Sequence, residues 1–241
     1  MCAAFLYAKE RDVIVVKMKT SIAGILEIFE HEGVVPGPYL DSVGVWTWGV
    51  GHTAAAGSFD PEKLPRGMAS DIEAEIDSAI RVFQHDITKY EARVNDAIKV
   101  PLKQHEFDAL VSFDYNTGGI YRAKLTSAIN RGDMDAAKHF MGWLKPPEIR
   151  GRRTDEMRLF ETGDYGANGD KIAVWNVDVN GKLRGINKTV RGKDLLKRFA
   201  EIERETGGHK RPMGGKPGIA KLFSLIADFL DAIFGKKGVS V

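Results

Sequence analysis

The sequence predicts an α+β fold of two lobes from three observations: a short hairpin rich in glycine and aromatics, one unusually long amphipathic stripe after it, and a run of shorter helical patterns beyond Pro101. From Thr20 to Glu32 the apolar residues Ile22, Ile25, Leu26 and Phe29 recur at helical spacing, with Thr20 or Ser21 as N-cap and Gly33 as the stop. Glu27 and His31 fall off this stripe, toward solvent. Pro36-Gly37-Pro38 then reads as a chain break, and residues 39–51 as a small β-hairpin turning at Ser42-Val43-Gly44. Residues 54–69 lack periodicity and read as a loop. Ser70 with Glu73 forms a capping box for a helix carrying Ile72, Ile76, Ile80, Phe83, Ile87, Tyr90, Val94 and Ile98, long enough to join two lobes.

Pro101 ends that helix, and residues 102–160 carry shorter helical patterns separated by Asn116-Thr117-Gly118-Gly119, Arg131-Gly132-Asp133 and Pro146-Pro147. Beyond Gly163 the character changes: Ile172 to Val179 reads as a strand, Asn180-Gly181 as a hairpin turn, and Gly192 to Glu205 as a further helix. The expected organisation is an N-terminal extension (1–17), a two-lobed body (18–163), an appended hairpin and helix (164–206), a flexible linker (207–218) and an amphipathic helix (219–235). The last helix is too short and too charged to span a bilayer, so it is expected to lie on a membrane surface or to pack on the rest of the chain or a second copy.

Charge excludes some partners. With 35 Lys+Arg against 33 Asp+Glu, no global field favours nucleic acid. The one cysteine, Cys2, rules out an internal disulfide framework. The six histidines show no ligand spacing with Cys or paired acids, so neither a metal nor another cofactor is expected. The apolar runs Met1 to Ala8 and Val13 to Val16 are too short for a transmembrane segment and make no convincing signal peptide.

The residues that can carry chemistry lie at the first helix and hairpin. Glu32 falls at the edge of the apolar stripe and at the helix's negative end, and both placements favour the protonated carboxyl that a general acid needs. Asp41, at the hairpin turn, sits in a polar setting that keeps a carboxylate ionised. Two carboxyls in contrasting environments suit glycoside hydrolysis. Along the following strand Thr47, Gly49 and Gly51 share one face, leaving room for a bulky polymer beside a hydroxyl, while Trp46, Trp48, Val50 and His52 take the other. From spacing alone, a solvated helix end, a turn former and a strand former explain Glu32, Asp41 and Thr47 equally well.

The stretch FEHEGVVPGPYLDSVGVWTWGVGHT resembles the active-site signature of the phage-type lysozymes. VPLKQHEFDALVSFDYNTGG and INRGDMDAAKHFMGWLKPPEIRGRRTDEMRLF resemble that family's second lobe, so the likeness covers roughly Thr20 to Gly163. It implies a lysozyme-like fold and a muramidase that hydrolyses the β-1,4 bond between N-acetylmuramic acid and N-acetylglucosamine in bacterial peptidoglycan. Glu32 would be the acid, Asp41 would help activate water, and Thr47 would position it. Tyr115 and Asn116 match positions lining the sugar cleft. Arg152 matches a position that either reaches substrate carboxylates or pairs with Glu32. His52 is expected to pair with Asp86 on the long helix. The implied role is host lysis, from the cytoplasm until release to the periplasm and wall, with a separate pore-forming protein for export. A lytic transglycosylase and a catalytically silent wall-binding module are the alternatives; intact Asp41 and Thr47 argue against the first, and Glu32 against the second. Three departures from the family stand out: Pro36-Gly37-Pro38, Trp48 where a smaller aliphatic residue is usual and the cleft would be narrowed, and the long region after Gly163.

Overall fold

A computed structural model of the chain describes residues 17–166, 172–205 and 211–212. The expected extension up to residue 16, most of the linker and the helix at 219–235 lie outside the described residues. Helix α1 (Ile22–Glu32) opens on Ser21, whose hydroxyl accepts from Gly24 N at 3.0 Å, and stops at Gly33, where φ is 67°. A three-stranded antiparallel sheet follows, in the order β1 (Val35–Leu40), β2 (Trp46–Gly49), β3 (His52–Thr53).

Pro36-Gly37-Pro38 does not break the chain but lies inside β1. The β1–β2 register shifts between Val35 and Tyr39, so the two prolines, which have no N–H for a ladder, sit within an irregularity. The long helix is α2 (Ile72–Ala97), capped by Asp71, which accepts from Ala74 N at 3.0 Å, rather than by Ser70. Glu73, expected in the capping box, instead meets Lys188 and Arg198. Helices α3 (Gln104–Thr117), α4 (Lys124–Asn130) and α5 (Arg150–Thr162) build the second lobe.

The region after Gly163 is integral to the fold. Strands β4 (Ile172–Val177) and β5 (Leu183–Val190) form a hairpin turning at Asn180-Gly181, and α6 (Gly192–Glu205) follows. Ile172, Val174, Leu195, Leu196, Phe199 and Ile202 join the same buried cluster as Phe29 and Phe83. Phe83 of α2 packs between Phe29 at 4.7 Å and Phe199 at 6.4 Å. Arg211, expected in a flexible linker, is buried: its guanidinium meets Glu91 and Glu203, and Pro212 O accepts from Ile22 N at 2.8 Å. Glu27, expected to face solvent, is buried, with Gly166 and Arg158 close by. Among the described residues no helix is long and apolar enough to cross a membrane.

Candidate active site

Glu32 ends α1 with its side chain 17% exposed, and Gly33 releases the chain into the sheet. A β-carbon added to Gly51 would stand 3.2 Å from Glu32 Oε2 and 3.4 Å from Tyr115 Cε1, so the bare backbone between β2 and β3 lies against the carboxyl. Gly51 has φ 76°, a left-handed backbone that favours glycine. That approach brings Glu32 to the sheet carrying the other two candidates.

Asp41 follows β1 directly. Its Oδ1 accepts from Val43 N at 2.9 Å and Val45 N at 2.8 Å, which ties the turn together; Oδ2 has no hydrogen bond among the described residues. Thr47 is buried on β2 opposite Tyr39 and Thr53, and its hydroxyl donates to Val45 O at 3.1 Å. Tyr39 reports the proximity of both carboxylates. Burial, then Glu32, then Asp41 raise its phenol well above the ordinary value.

Behind Glu32 lies a buried chain of charges. Arg152 Nη1 donates to Glu32 Oε1 at 2.5 Å, its Nε to Glu156 Oε1 at 3.0 Å, and its Nη2 to Ser112 O at 3.2 Å. Burial opposes the charge of Arg152, but Glu32 and Glu156 outweigh it and raise its pKa. Glu156 also accepts from Ser112 Oγ at 2.8 Å and lies 2.7 Å from Arg153 Nη1, off hydrogen-bonding alignment. Burial pushes Glu156 up against the pull of both arginines. Arg153, fully buried, is lowered to about 10 by desolvation and the neighbouring Arg152, despite Glu156. Burial, with Arg152 and Arg153, also holds His31 down at about 3.

Tyr115, expected at the sugar wall, stands elsewhere, and Arg152 takes the second of its two expected roles. Tyr115 is buried and its hydroxyl donates to Val50 O, so it braces the backbone between β2 and β3. Arg152 is 8% exposed with its donors committed to protein acceptors, so it holds Glu32 instead of reaching substrate carboxylates. Asn116 is exposed, accepting from Arg153 Nη2 at 2.6 Å. The structure brings His52 and Asp86 together, Nδ1 to Oδ2 at 2.6 Å, both buried, with His52 stacked on Phe59 at 4.2 Å. Trp48 points into the core, donating to Glu75 Oε1 at 2.9 Å, so it does not narrow the glycine face.

Sequence reasoning missed Glu156 and Ser112. The signal for Glu156 was its spacing, three and four residues after two arginines on one helix. Among the described residues no group of three or more His, Cys, Asp or Glu side chains is gathered to hold a metal ion.

A small sheet bearing Asp41 and Thr47, a helix delivering a half-buried Glu32 against it, and a helical lobe behind define a lysozyme-like α+β protein. The sequence profile of the phage lysozyme family matches residues 29–157, and the chain belongs to that family, whose substrate is bacterial peptidoglycan. It is similar to the endolysin of Salmonella phage P22, 33% identical over 150 residues covering 59% of this chain and 98% of the relative. It is also similar to an endolysin of Acyrthosiphon pisum secondary endosymbiont phage 1, 31% identical over 57% of this chain and 87% of that one. Among solved structures, the endolysin from Escherichia coli O157:H7 phage FAHEc1 superposes with a TM-score of 0.52 at 28% identity, covering 62% of this chain and 98% of the other.

Proposed function

We propose that this protein is a muramidase that hydrolyses the β-1,4 bond between N-acetylmuramic acid and N-acetylglucosamine, with Glu32 as acid, Asp41 as base and Thr47 as the residue that positions water. The observation that carries the reading is the seating of the Glu32 carboxyl against Gly51, between two strands of the sheet that carries Thr47 and leads into Asp41.

In this reading Glu32 gives its proton to the glycosidic oxygen as the bond breaks, and Arg152 orients the carboxyl. Arg152 is shared with Glu156, so it stabilises the Glu32 anion left after proton transfer without being committed to it alone. Asp41 is pinned through Oδ1, which leaves Oδ2 to take a proton from the attacking water. The Thr47 hydroxyl spends its proton on Val45 O and keeps lone pairs for that same water. An intervening water calls for carboxyls about 6.5–9.5 Å apart and an inverted product anomer.

Mass analysis of muropeptides released from purified sacculi tests this. Reducing muramic ends, lost in Glu32→Gln and strongly reduced in Asp41→Asn, are expected. Mainly 1,6-anhydro ends would mean that the sugar's own hydroxyl replaces water, and full activity in Glu32→Gln would overturn the assignment. By this reading the enzyme serves host lysis.

A further inference from the structure

Two of the departures from the family pattern, Pro36-Gly37-Pro38 and the region after Gly163, meet in space. Residues 32–41 connect the acid to Asp41, and the β1–β2 ladder alone leaves this segment loosely registered: its pairs are Val35 with Gly49, Tyr39 with Thr47 and Leu40 with Trp46, with the shift over Pro36-Gly37-Pro38 between them. The β4–β5 hairpin grips the segment from the other side at three places. At its head, Val34 N donates to Ala173 O at 2.8 Å and Trp175 N to Val34 O at 2.9 Å. In the middle, a β-carbon on Gly37 would stand 2.9 Å from Val177 Cγ1. At its tail, Leu40 N, one residue before Asp41, donates to Gly181 O at 2.8 Å.

The same turn reaches β2. Gly181 has φ 76°, and a β-carbon there would stand 2.4 Å from Cζ3 of Trp46, the residue before Thr47. Arg66 stacks on that ring at 3.6 Å. Trp46 is therefore held between Arg66 and the glycine turn.

We infer that the β4–β5 hairpin is a positioning element of the active site: Gly181, Val177 and Ala173 fix the course of β1 and, through Trp46, the seat of Thr47, and so set the gap between Glu32 and Asp41. The inference rests on the roles given above to Glu32, Asp41 and Thr47. Its physical basis is the steep dependence of catalysis on geometry. A strand weakened by two prolines needs an outside template to hold two carboxyls at a fixed separation, and the hairpin supplies backbone partners at both ends of that strand.

Gly181→Asn tests the inference. Asparagine is the non-glycine residue that best tolerates the left-handed backbone, so the main effect of the substitution is the new β-carbon, which strikes the Trp46 ring and crowds Leu40 N at 3.3 Å. On purified sacculi kcat should fall about tenfold to a hundredfold while KM stays within about twofold and the fold is retained. In the double variant Trp46→Leu/Gly181→Asn, which removes the ring that the new atom strikes, kcat should exceed that of Gly181→Asn alone. Wild-type kcat with only a lowered melting temperature, or effects of the two substitutions that simply multiply, would overturn the inference. If Gly181→Asn does not fold, Val177→Ala withdraws the methyl facing Gly37 without adding bulk, and the same split between rate and stability decides. Glu32→Gln assayed alongside separates the two kinds of failure. Turnover in that variant overturns the acid assignment and the inference with it, whereas wild-type turnover in Gly181→Asn beside an inactive Glu32→Gln overturns the hairpin's role alone.

Discussion

Glu32 is held from behind by a buried cluster of charges, Arg152, Glu156 and Arg153, whereas Asp41 and Thr47 are held by backbone hydrogen bonds along a short sheet. The two kinds of support fail differently. A buried ion cluster is unforgiving, because removing one member strands the others away from water. A sheet held by main-chain bonds tolerates side-chain change but depends on the course of its strands. The Glu32 side should therefore answer to charge, and the Asp41–Thr47 side to shape.

The largest effect should come from Glu32→Gln, which keeps an acceptor for Arg152 but has no proton to give: turnover should fall by about two to four orders of magnitude with the melting temperature little changed. Muropeptide release and thermal unfolding on the same preparation check both halves. Next, Glu156→Ala should destabilise the protein by about 3–5 kcal/mol, since Arg152 and Arg153 lose a shared buried partner. Urea unfolding measures it; a loss below about 1 kcal/mol, the scale of an exposed pair, would show that the cluster relaxes or hydrates.

A third test uses His31, whose ordinary value of 6.5 falls to about 3 in the folded protein through burial and the two arginines. Between those values the unfolded chain binds the proton and the folded one does not. Stability should thus fall as pH drops through that window, by at most about 1.4 kcal/mol per pH unit from this group. His31→Gln should flatten that slope, and an unchanged slope would show that Arg152 and Arg153 do not act on the ring as argued. The smallest effect belongs to Thr47→Ala, about tenfold in kcat if the hydroxyl positions water through one hydrogen bond. If it serves only Val45 O, stability changes and kcat does not.

Much of the fold was legible because period and punctuation are local properties. The stripe from Ile72 to Ile98 marked α2, Ser21 and Gly33 bracketed α1, and Asn180-Gly181 marked the β4–β5 turn within a residue or two. Local patterns misled where a distant segment set the outcome. Pro36-Gly37-Pro38 looks like a break until β4 lies beside it, and Glu73 looks like a cap until Lys188 and Arg198 claim it. Glu27 looks solvent-facing only while the chain near Gly166 is out of sight.

At the candidate site, resemblance singled out Glu32, Asp41 and Thr47, which the structure gathers around one small sheet, and the expected His52–Asp86 pair forms. Tyr115 was placed in the right neighbourhood with the wrong occupation, and of the two readings open for Arg152 the structure takes the pair with Glu32. Whether a hydroxyl or guanidinium faces ligand or protein depends on acceptors such as Val50 O and Ser112 O, which a one-dimensional pattern does not display.

The packing of α6 on α2 bears on where this enzyme can be cut. The family match ends at residue 157, and a chain trimmed soon afterwards would have the length of a complete small endolysin, yet it would uncover the face of Phe83 that Phe199 shields. With the removed segment would go the burial of Leu195, Leu196, Phe199 and Ile202, worth about 1.5–3 kcal/mol each. The core left open would offer other molecules an adhesive surface, so a truncated enzyme designed on family length should be collected from inclusion bodies.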